Sequence, residues 1–87
     1  MHIFKKSPGL VEQEVEGETV VLDKDAGLIH QLNPTATEIW RACDGESSSE
    51  SIAEQIAGLY GIELELAKAD VESALRQLEQ QKLVQPV

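Results

Sequence analysis

The residues able to carry out catalysis or bind a metal are few in this chain, and they are far apart. Its two histidines are His2 near the N-terminus and His30 in an apolar stretch, and neither has a Cys or carboxylate at metal-ligand spacing beside it. The sequence also lacks a glycine-rich phosphate loop and a grouping of Ser, His and acid that would indicate a nucleophile. These observations predict a protein that is not an enzyme and has no metal site or cofactor.

Cys43 and Trp40 are the remaining candidates for chemistry, as a nucleophile and a ligand anchor respectively. Both share one face of a predicted helix with Ala36 and Ile39, so the pattern favours a buried thiol and a core tryptophan. His30 is either a polar contact for a bound peptide or an ordinary residue of a sheet face. A single cysteine cannot form an intramolecular disulfide, so nothing indicates an oxidising compartment.

The charge of the chain limits its partners. Sixteen Asp and Glu against seven Lys and Arg give a net charge of −9, which repels a nucleic-acid backbone. Six of the acids lie within residues 12–25, where they either steer a basic partner or form a solvated face. No apolar run is long enough for a membrane span or a signal peptide. We therefore expect a cytoplasmic protein that binds neither nucleic acid nor a membrane.

The length of 87 residues supports one domain. Residues 1–9 end in the breaker Ser7-Pro8-Gly9 and predict a flexible N-terminal arm. Residues 10–87 are then the single folded domain.

From residue 10 to residue 32 the apolar pattern has period two. Val11, Gln13 and Val15 alternate with glutamates, which is typical of a strand with one buried and one wet face. Residues 19–22 and 28–32 form two further apolar runs, each preceded by turn residues. The pattern predicts a three-stranded antiparallel meander.

At Asn33 the period becomes helical. Asn33-Pro34 predicts the start of a first helix that Asp44-Gly45 closes. The serines at 47–49 offer caps for a second helix that ends at Gly61, with Ile52, Ile56 and Leu59 facing inward. A third helix is predicted over about residues 65–82. The fold class is therefore α+β with the order βββααα.

Two features indicate a binding module. If the third predicted strand lies at the edge of its sheet, its backbone groups are a template for adding a peptide strand. The third helix carries the small residues Ala67, Ala69, Ser73 and Ala74, which either leave room for a groove or let the helix pack tightly on the sheet.

Residues 28–84 resemble the PqqD family, peptide-binding modules also called RiPP recognition elements. The matching pieces are Leu32-Asn33, Ile39-Trp40, Asp44-Gly45, Ile52-Ala53, Asp70-Val71, Leu75 with Leu78, and Leu83-Val84. One departure is Lys82, at a position where the family commonly has Gly. The order and spacing of the pieces together carry the resemblance.

The resemblance implies a winged-helix-like fold and a non-catalytic peptide chaperone. Such modules bind the leader segment of a ribosomally made precursor peptide and present it to a modifying enzyme, often a radical-SAM enzyme. In the family the leader pairs with the third strand and lies in the cleft between that strand and the third helix. The peptide-binding residues implied here are Leu28, Ile29, His30, Gln31, Leu32, Asp70, Val71, Ala74, Gln77 and Leu78. Which strand side chains face the cleft depends on the register.

Other functions compete with this one. An acidic protein-docking subunit without a peptide client is the main alternative, and a winged-helix transcriptional regulator is another. The net charge and Glu50 and Glu54 on the presumed recognition region argue against DNA contact. An unfilled strand edge can also pair with a second copy, so a homodimer is a candidate assembly.

Overall fold

The computed structural model describes residues 2–87, and in them the predicted α+β order is confirmed, with three short strands added. The elements in chain order are β1 (Ile3–Lys6), β2 (Leu10–Val15), β3 (Glu18–Asp23), β4 (Leu28–Leu32), α1 (Pro34–Ala42), β5 (Asp44–Ser48), α2 (Ser49–Tyr60), α3 (Leu64–Gln80) and β6 (Val84–Pro86). Strands β2, β3 and β4 are the predicted meander, and α1, α2 and α3 are the three predicted helices.

The meander forms an antiparallel sheet in the order β2-β3-β4. Val21 at the centre of β3 pairs with Glu12 of β2 on one side and with His30 of β4 on the other. Strand β3 is therefore the middle strand, and β2 and β4 are the two edges among the described residues.

The predicted flexible arm is wrong for residues 3–6, because they form β1 in a second sheet of order β5-β1-β6. Ile3 pairs with Ser48 of β5, and Phe4 pairs with Pro86 of β6. Phe4 is buried in the core, so its side chain and two neighbouring strands hold this segment in place. Met1, the first residue of the predicted arm, lies outside the described residues.

The predicted helix caps are confirmed. Asn33 Oδ1 accepts a hydrogen bond from the Ala36 amide at 2.8 Å, and Pro34 occupies the first turn of α1, where no amide donor is needed. Ser48 Oγ accepts from the Ser51 amide at 3.1 Å at the start of α2. Gly61 ends α2 with a left-handed φ of 64°, a conformation that glycine adopts without steric cost.

Asp44 was predicted to close the first helix, but Cys43 is its C-cap residue and Asp44 organises the segment that follows. Helix α1 ends at Ala42, and Asp44 begins β5. Its carboxylate accepts hydrogen bonds from the Ser47 amide at 2.8 Å and the Glu46 amide at 2.9 Å. These two donors stabilise the ionised form and hold the pKa of the Asp44 carboxyl below its usual value.

One hydrophobic core joins the two sheets and the three helices. Its buried members are Phe4, Val21, Leu32, Ile39, Trp40, Cys43, Ile52, Ala53, Ile56, Ala67, Val71, Leu75, Leu78, Leu83 and Val84. The prediction that Trp40 and Cys43 are core residues is confirmed, whereas Leu59 is 60% exposed and was wrongly placed inward.

Lys82 follows α3 with a left-handed φ of 62°. This conformation disfavours side chains with a Cβ, which accounts for the Gly that the family resemblance led us to expect there.

Candidate functional site

The candidate site begins at the edge strand β4, and the register fixes which of its side chains face the helices. Val21, which pairs with His30, is buried in the core, and so is Leu32. Because side chains alternate along a strand, Leu28, His30 and Leu32 lie on this inner side of the sheet. Ile29 and Gln31 lie on the outer side, where Ile29 is 72% exposed.

The predicted contacts on α3 separate into core and surface positions. Val71 and Leu78 are buried in the same hydrophobic cluster as Leu32, and Ala74 packs against that cluster. Asp70 and Gln77 are exposed. Leu32 of β4 and Val71 and Leu78 of α3 are buried members of one core, so they support the fold and leave the exposed positions for a ligand.

The opposite flank of α3 lines two clefts that the sequence did not indicate. Residues three and four apart share a helix face, which places Glu72, Arg76 and Glu79 together across the buried stripe from Ala74. One cleft of about 420 Å³ is lined by His2, Phe4, Ser49, Glu72, Leu75, Arg76, Glu79 and Pro86. A second cleft of about 290 Å³ is lined by Ser49, Glu50, Lys68 and Glu72. None of the predicted peptide contacts lines either cleft.

Strand β2, at the other edge of the meander, has its polarity reversed relative to the prediction. Its glutamates share the inner side with Val21, and Glu12 pairs with Lys6 at 3.1 Å, while Glu14 pairs with Arg41 of α1. Its valines point outward, with Val11 47% and Val15 51% exposed. The predicted alternation is present, but its charged side faces the body of the protein because Lys6 and Arg41 supply cations there.

Lys6 and Trp40 connect this edge to the core. The Lys6 ammonium, which pairs with Glu12, also lies 4.9 Å from the centroid of the Trp40 ring, a cation–π distance. Lys6 of β1 thus contacts both the Trp40 ring of α1 and the Glu12 carboxylate on the inner side of β2.

Cys43 is not suited to act as a nucleophile. Burial raises the pKa of its thiol to about 11, so the thiol is protonated at neutral pH. Its Sγ donates to the Ile39 carbonyl oxygen at 3.3 Å.

In residues 2–87 no group of three or more His, Cys, Asp or Glu side chains could hold a metal ion. No helix of this part of the chain is long and apolar enough to cross a membrane.

Among residues 2–87, two buried side-chain nitrogens have no hydrogen-bond partner, His30 Nε2 and Trp40 Nε1. A buried polar atom left unpaired costs about 1–3 kcal/mol. Trp40 is fully buried on α1, whereas His30 is partly exposed on the edge strand. Of the two residues, His30 is therefore the one that lies on an edge strand.

A comparison with protein families identifies the chain. The family model described as coenzyme PQQ synthesis protein D (PqqD) matches residues 18–84, well over half of the sequence. The chain belongs to the PqqD family. The match covers β3, β4, β5, all three helices and the start of β6, so it includes the edge strand β4 and the helix α3. No curated protein sequence matches this PqqD-family chain.

Solved structures share the fold of this PqqD-family chain over nearly its whole length. TbiB1, in complex with the TbiA(beta) leader peptide, is 23% identical with a TM-score of 0.84, covering 93% of this chain and 94% of that chain. Lasso peptide synthetase B1, complexed with the leader peptide, is 27% identical with a TM-score of 0.82, covering 95% of this chain and 98% of that chain. The heterocyclase TruD is 17% identical with a TM-score of 0.72, and the match covers 100% of this chain but 12% of TruD.

Proposed function

We propose that this protein is a non-catalytic peptide chaperone that binds the leader segment of a ribosomally made precursor peptide by strand addition at β4. The observation that carries the proposal is the difference between the two edges of the meander. The β2 edge turns Glu12 and Glu14 inward, each paired with a cation, whereas no residue of β4 is a carboxylate, lysine or arginine.

Inward-pointing charges are a device by which natural sheets prevent edge pairing. A peptide strand added beside Glu12 and Glu14 would have to place its own side chains against two ion pairs. At β4 the positions in register with Glu12 and Glu14 are His30 and Leu32, and Leu28 lies on the same inner side, so this edge offers an imidazole and an apolar surface. Strand addition is therefore favoured at β4 and disfavoured at β2.

The comparisons support the same assignment. Lasso peptide synthetase B1 has this fold over almost its entire length and was solved with a leader peptide bound. TbiB1, of the same fold, was also solved with a leader peptide. We infer that the client here is a leader peptide and that it contacts the exposed members of the predicted set, Leu28, Ile29, Gln31, Asp70 and Gln77, together with His30 and Ala74.

The modifying enzyme that receives the peptide belongs to the same proposal. We propose that the protein presents its peptide to such an enzyme, and a radical-SAM enzyme is the first class to test. Action without catalysis, a cytoplasmic location and a homodimer stay predictions.

A second candidate function, docking to a larger protein without a peptide client, is favoured by the outer side of the meander. Val11 and Val15 of β2 and Ile29 of β4 are exposed on that outer side. Exposed apolar residues grouped on one surface mark protein contacts. This surface does not require a peptide, so peptide binding separates the two functions.

The test uses the short peptides encoded by the genes beside the gene of this protein, synthesised with a fluorescent label and titrated with the protein by anisotropy. The decisive variant is Leu28→Glu, which places a carboxylate without a cation on the inner side of β4. Its matched control is Val15→Glu on β2, because Leu28 and Val15 are both 51% exposed.

We expect one of these peptides to bind the wild-type protein and Val15→Glu equally. Leu28→Glu should bind at least about thirtyfold more weakly, because an unpaired charge in a dry contact costs roughly 2 kcal/mol or more. Thermal melting of both variants checks that the fold is kept. Equal loss in both variants, or no loss in Leu28→Glu, contradicts strand addition at β4. The absence of any binding peptide, together with capture of an enzyme by the outer side, would favour the docking subunit.

A further inference from the structure

Resting on the proposed strand addition at β4, we propose that His30 selects one residue of the bound peptide. Its Nε2 forms a hydrogen bond with an uncharged polar side chain, Ser, Thr, Asn or Gln, at the peptide position directly opposite His30.

The position of His30 supports this role. It is the central residue of β4, and on the β3 side it pairs with the buried Val21. The other side of β4 is the free edge of the sheet. A peptide strand added there would place one residue directly opposite His30 with their Cβ atoms about 5 Å apart and both side chains on the inner side.

In the free protein one ring nitrogen of His30 lacks a hydrogen-bond partner among residues 2–87. Its Nε2 is buried and has no hydrogen-bond partner in the described residues. Buried polar nitrogens in folded proteins are nearly always paired, and an unpaired one needs an explanation. The inner side of β4 offers no partner of its own, because the neighbours of His30 there are Leu28 and Leu32. A ligand that adds to this edge can supply one when the partly exposed imidazole turns its Nε2 toward the added strand.

The charge around His30 excludes an acidic partner. Asp23 pairs with Leu28 on the same inner side, and Asp70 is exposed on α3. The protein as a whole carries a net charge of −9, so an acidic peptide side chain would be repelled from this surface. Hydroxyl and amide side chains both donate and accept hydrogen bonds, so they pair with Nε2 in either imidazole tautomer, whereas Lys and Arg only donate.

The test is a selection from an mRNA-displayed library of random twelve-residue peptides, run in parallel on the full-length wild-type protein, His30→Phe, His30→Gln and Leu28→Glu. Phe keeps the ring volume without a hydrogen bond, and Gln restores a hydrogen-bonding group. Enriched peptides are aligned on their common binding register. A peptide selected by the wild-type protein is then titrated against each variant.

We expect the wild-type selection to enrich Ser, Thr, Asn or Gln at one position. His30→Phe should lose that preference at that position alone and bind the wild-type peptide about tenfold more weakly, the usual effect of one hydrogen bond. His30→Gln should keep the preference. The same preference in His30→Phe, or enrichment of acidic, basic or apolar residues at that position, overturns the assignment.

A second measurement does not depend on any variant. Imidazole ¹⁵N chemical shifts of the wild-type protein report each ring nitrogen, and His2 serves as the internal control because it is the only other histidine. The selected peptide should shift the Nε2 resonance of His30 and leave that of His2 unchanged. An unchanged His30 resonance with the peptide bound contradicts the role. If Leu28→Glu selects the same peptides as the wild-type protein, strand addition at β4 itself is contradicted. That outcome differs from a failure of the His30 assignment alone, in which only the His30 variants behave like the wild-type protein.

Discussion

The two edges of the β2-β3-β4 sheet lie on either side of the same middle strand and differ in their inner side chains. On β2 those side chains include Glu12 and Glu14, paired with Lys6 and Arg41. On β4 they are Leu28, His30 and Leu32, which form none of the ion pairs in the described part of the chain.

This difference shows how one small sheet can close one edge and keep the other available. Both edges expose unpaired backbone groups, so the backbone alone would accept a strand at either. The charges on β2 make added side chains there costly to desolvate, while β4 carries no such obstacle. The choice of edge therefore depends on side chains that point inward.

The largest expected effect comes from removing the charges of β2. The double variant Glu12→Leu with Glu14→Leu gives β2 an apolar inner side like that of β4, and we expect it to self-associate through this edge at micromolar concentration. Light scattering after size-exclusion chromatography should show a mass above that of the wild-type protein.

The control for this variant is Glu54→Leu with Glu79→Leu, two exposed helical positions that change the net charge by the same amount. Self-association of the control to the same extent would assign the effect to charge and not to the edge.

A change in the middle strand should weaken the fold without distinguishing the edges. Val21 is fully buried on β3 between Glu12 and His30. Val21→Ala should lower the free energy of unfolding by about 2 kcal/mol, from lost burial and the cavity left behind. Urea unfolding measures it. Peptide affinity per folded molecule should stay within about threefold of wild type, and a larger loss would mean that β3 takes part in binding.

The ion pairs of β2 should contribute little to stability, although they close the edge. Arg41 contacts both Glu14 and Glu38, and these side chains are more than a third exposed. A double-mutant cycle of Arg41→Ala and Glu14→Gln should give a coupling of at most about 1 kcal/mol that falls as salt is added. A coupling well above this value would show that the pair is a main support of the fold.

The smallest expected effect concerns Cys43, which is buried in the core. The positive charge of Lys6 lowers the pKa of its thiol, but burial raises it by more. Alkylation by iodoacetamide near neutral pH should be slow in the folded protein and unchanged by a peptide bound at β4. Intact-mass spectrometry over time measures this rate. A faster or slower rate with the peptide bound would show that the peptide changes the packing of the core around Cys43, which strand addition at the edge does not require.

The same thiol predicts a pH dependence with a definite sign. Its pKa is raised from 9.0 to about 11 by burial, so the unfolded chain loses this proton at lower pH than the folded protein does. The free energy of unfolding should therefore fall as pH rises from about 9 to about 11. The variant Cys43→Ala should lack this component in urea unfolding at several pH values.

Local patterns were sufficient to predict the meander and the helices. Asn33, Pro34, Ser48 and Gly61 mark helix ends by interactions within a few residues, and these ends are observed. The strand β1 was missed because its partners, β5 and β6, are distant in sequence, and nothing near residues 3–6 reveals them.

The site was predicted only in part, for a similar reason. The alternation in β2 was visible, but which side is buried depends on Lys6 and Arg41, which come from other elements. In the same way, Val71 and Leu78 were included as contacts, but tertiary packing makes them core residues. The unpaired nitrogen of His30 depends on packing around the ring, which no sequence pattern reports.

The most direct test of the account is amide hydrogen exchange of the protein with and without a bound peptide from the neighbouring genes, resolved by residue. We predict slower exchange in β4, residues 28–32, and along the α3 positions near Ala74, with β2, residues 10–15, unchanged. New protection in β2 without any in β4 would contradict the claim that inward charges close one edge and leave the other for the peptide.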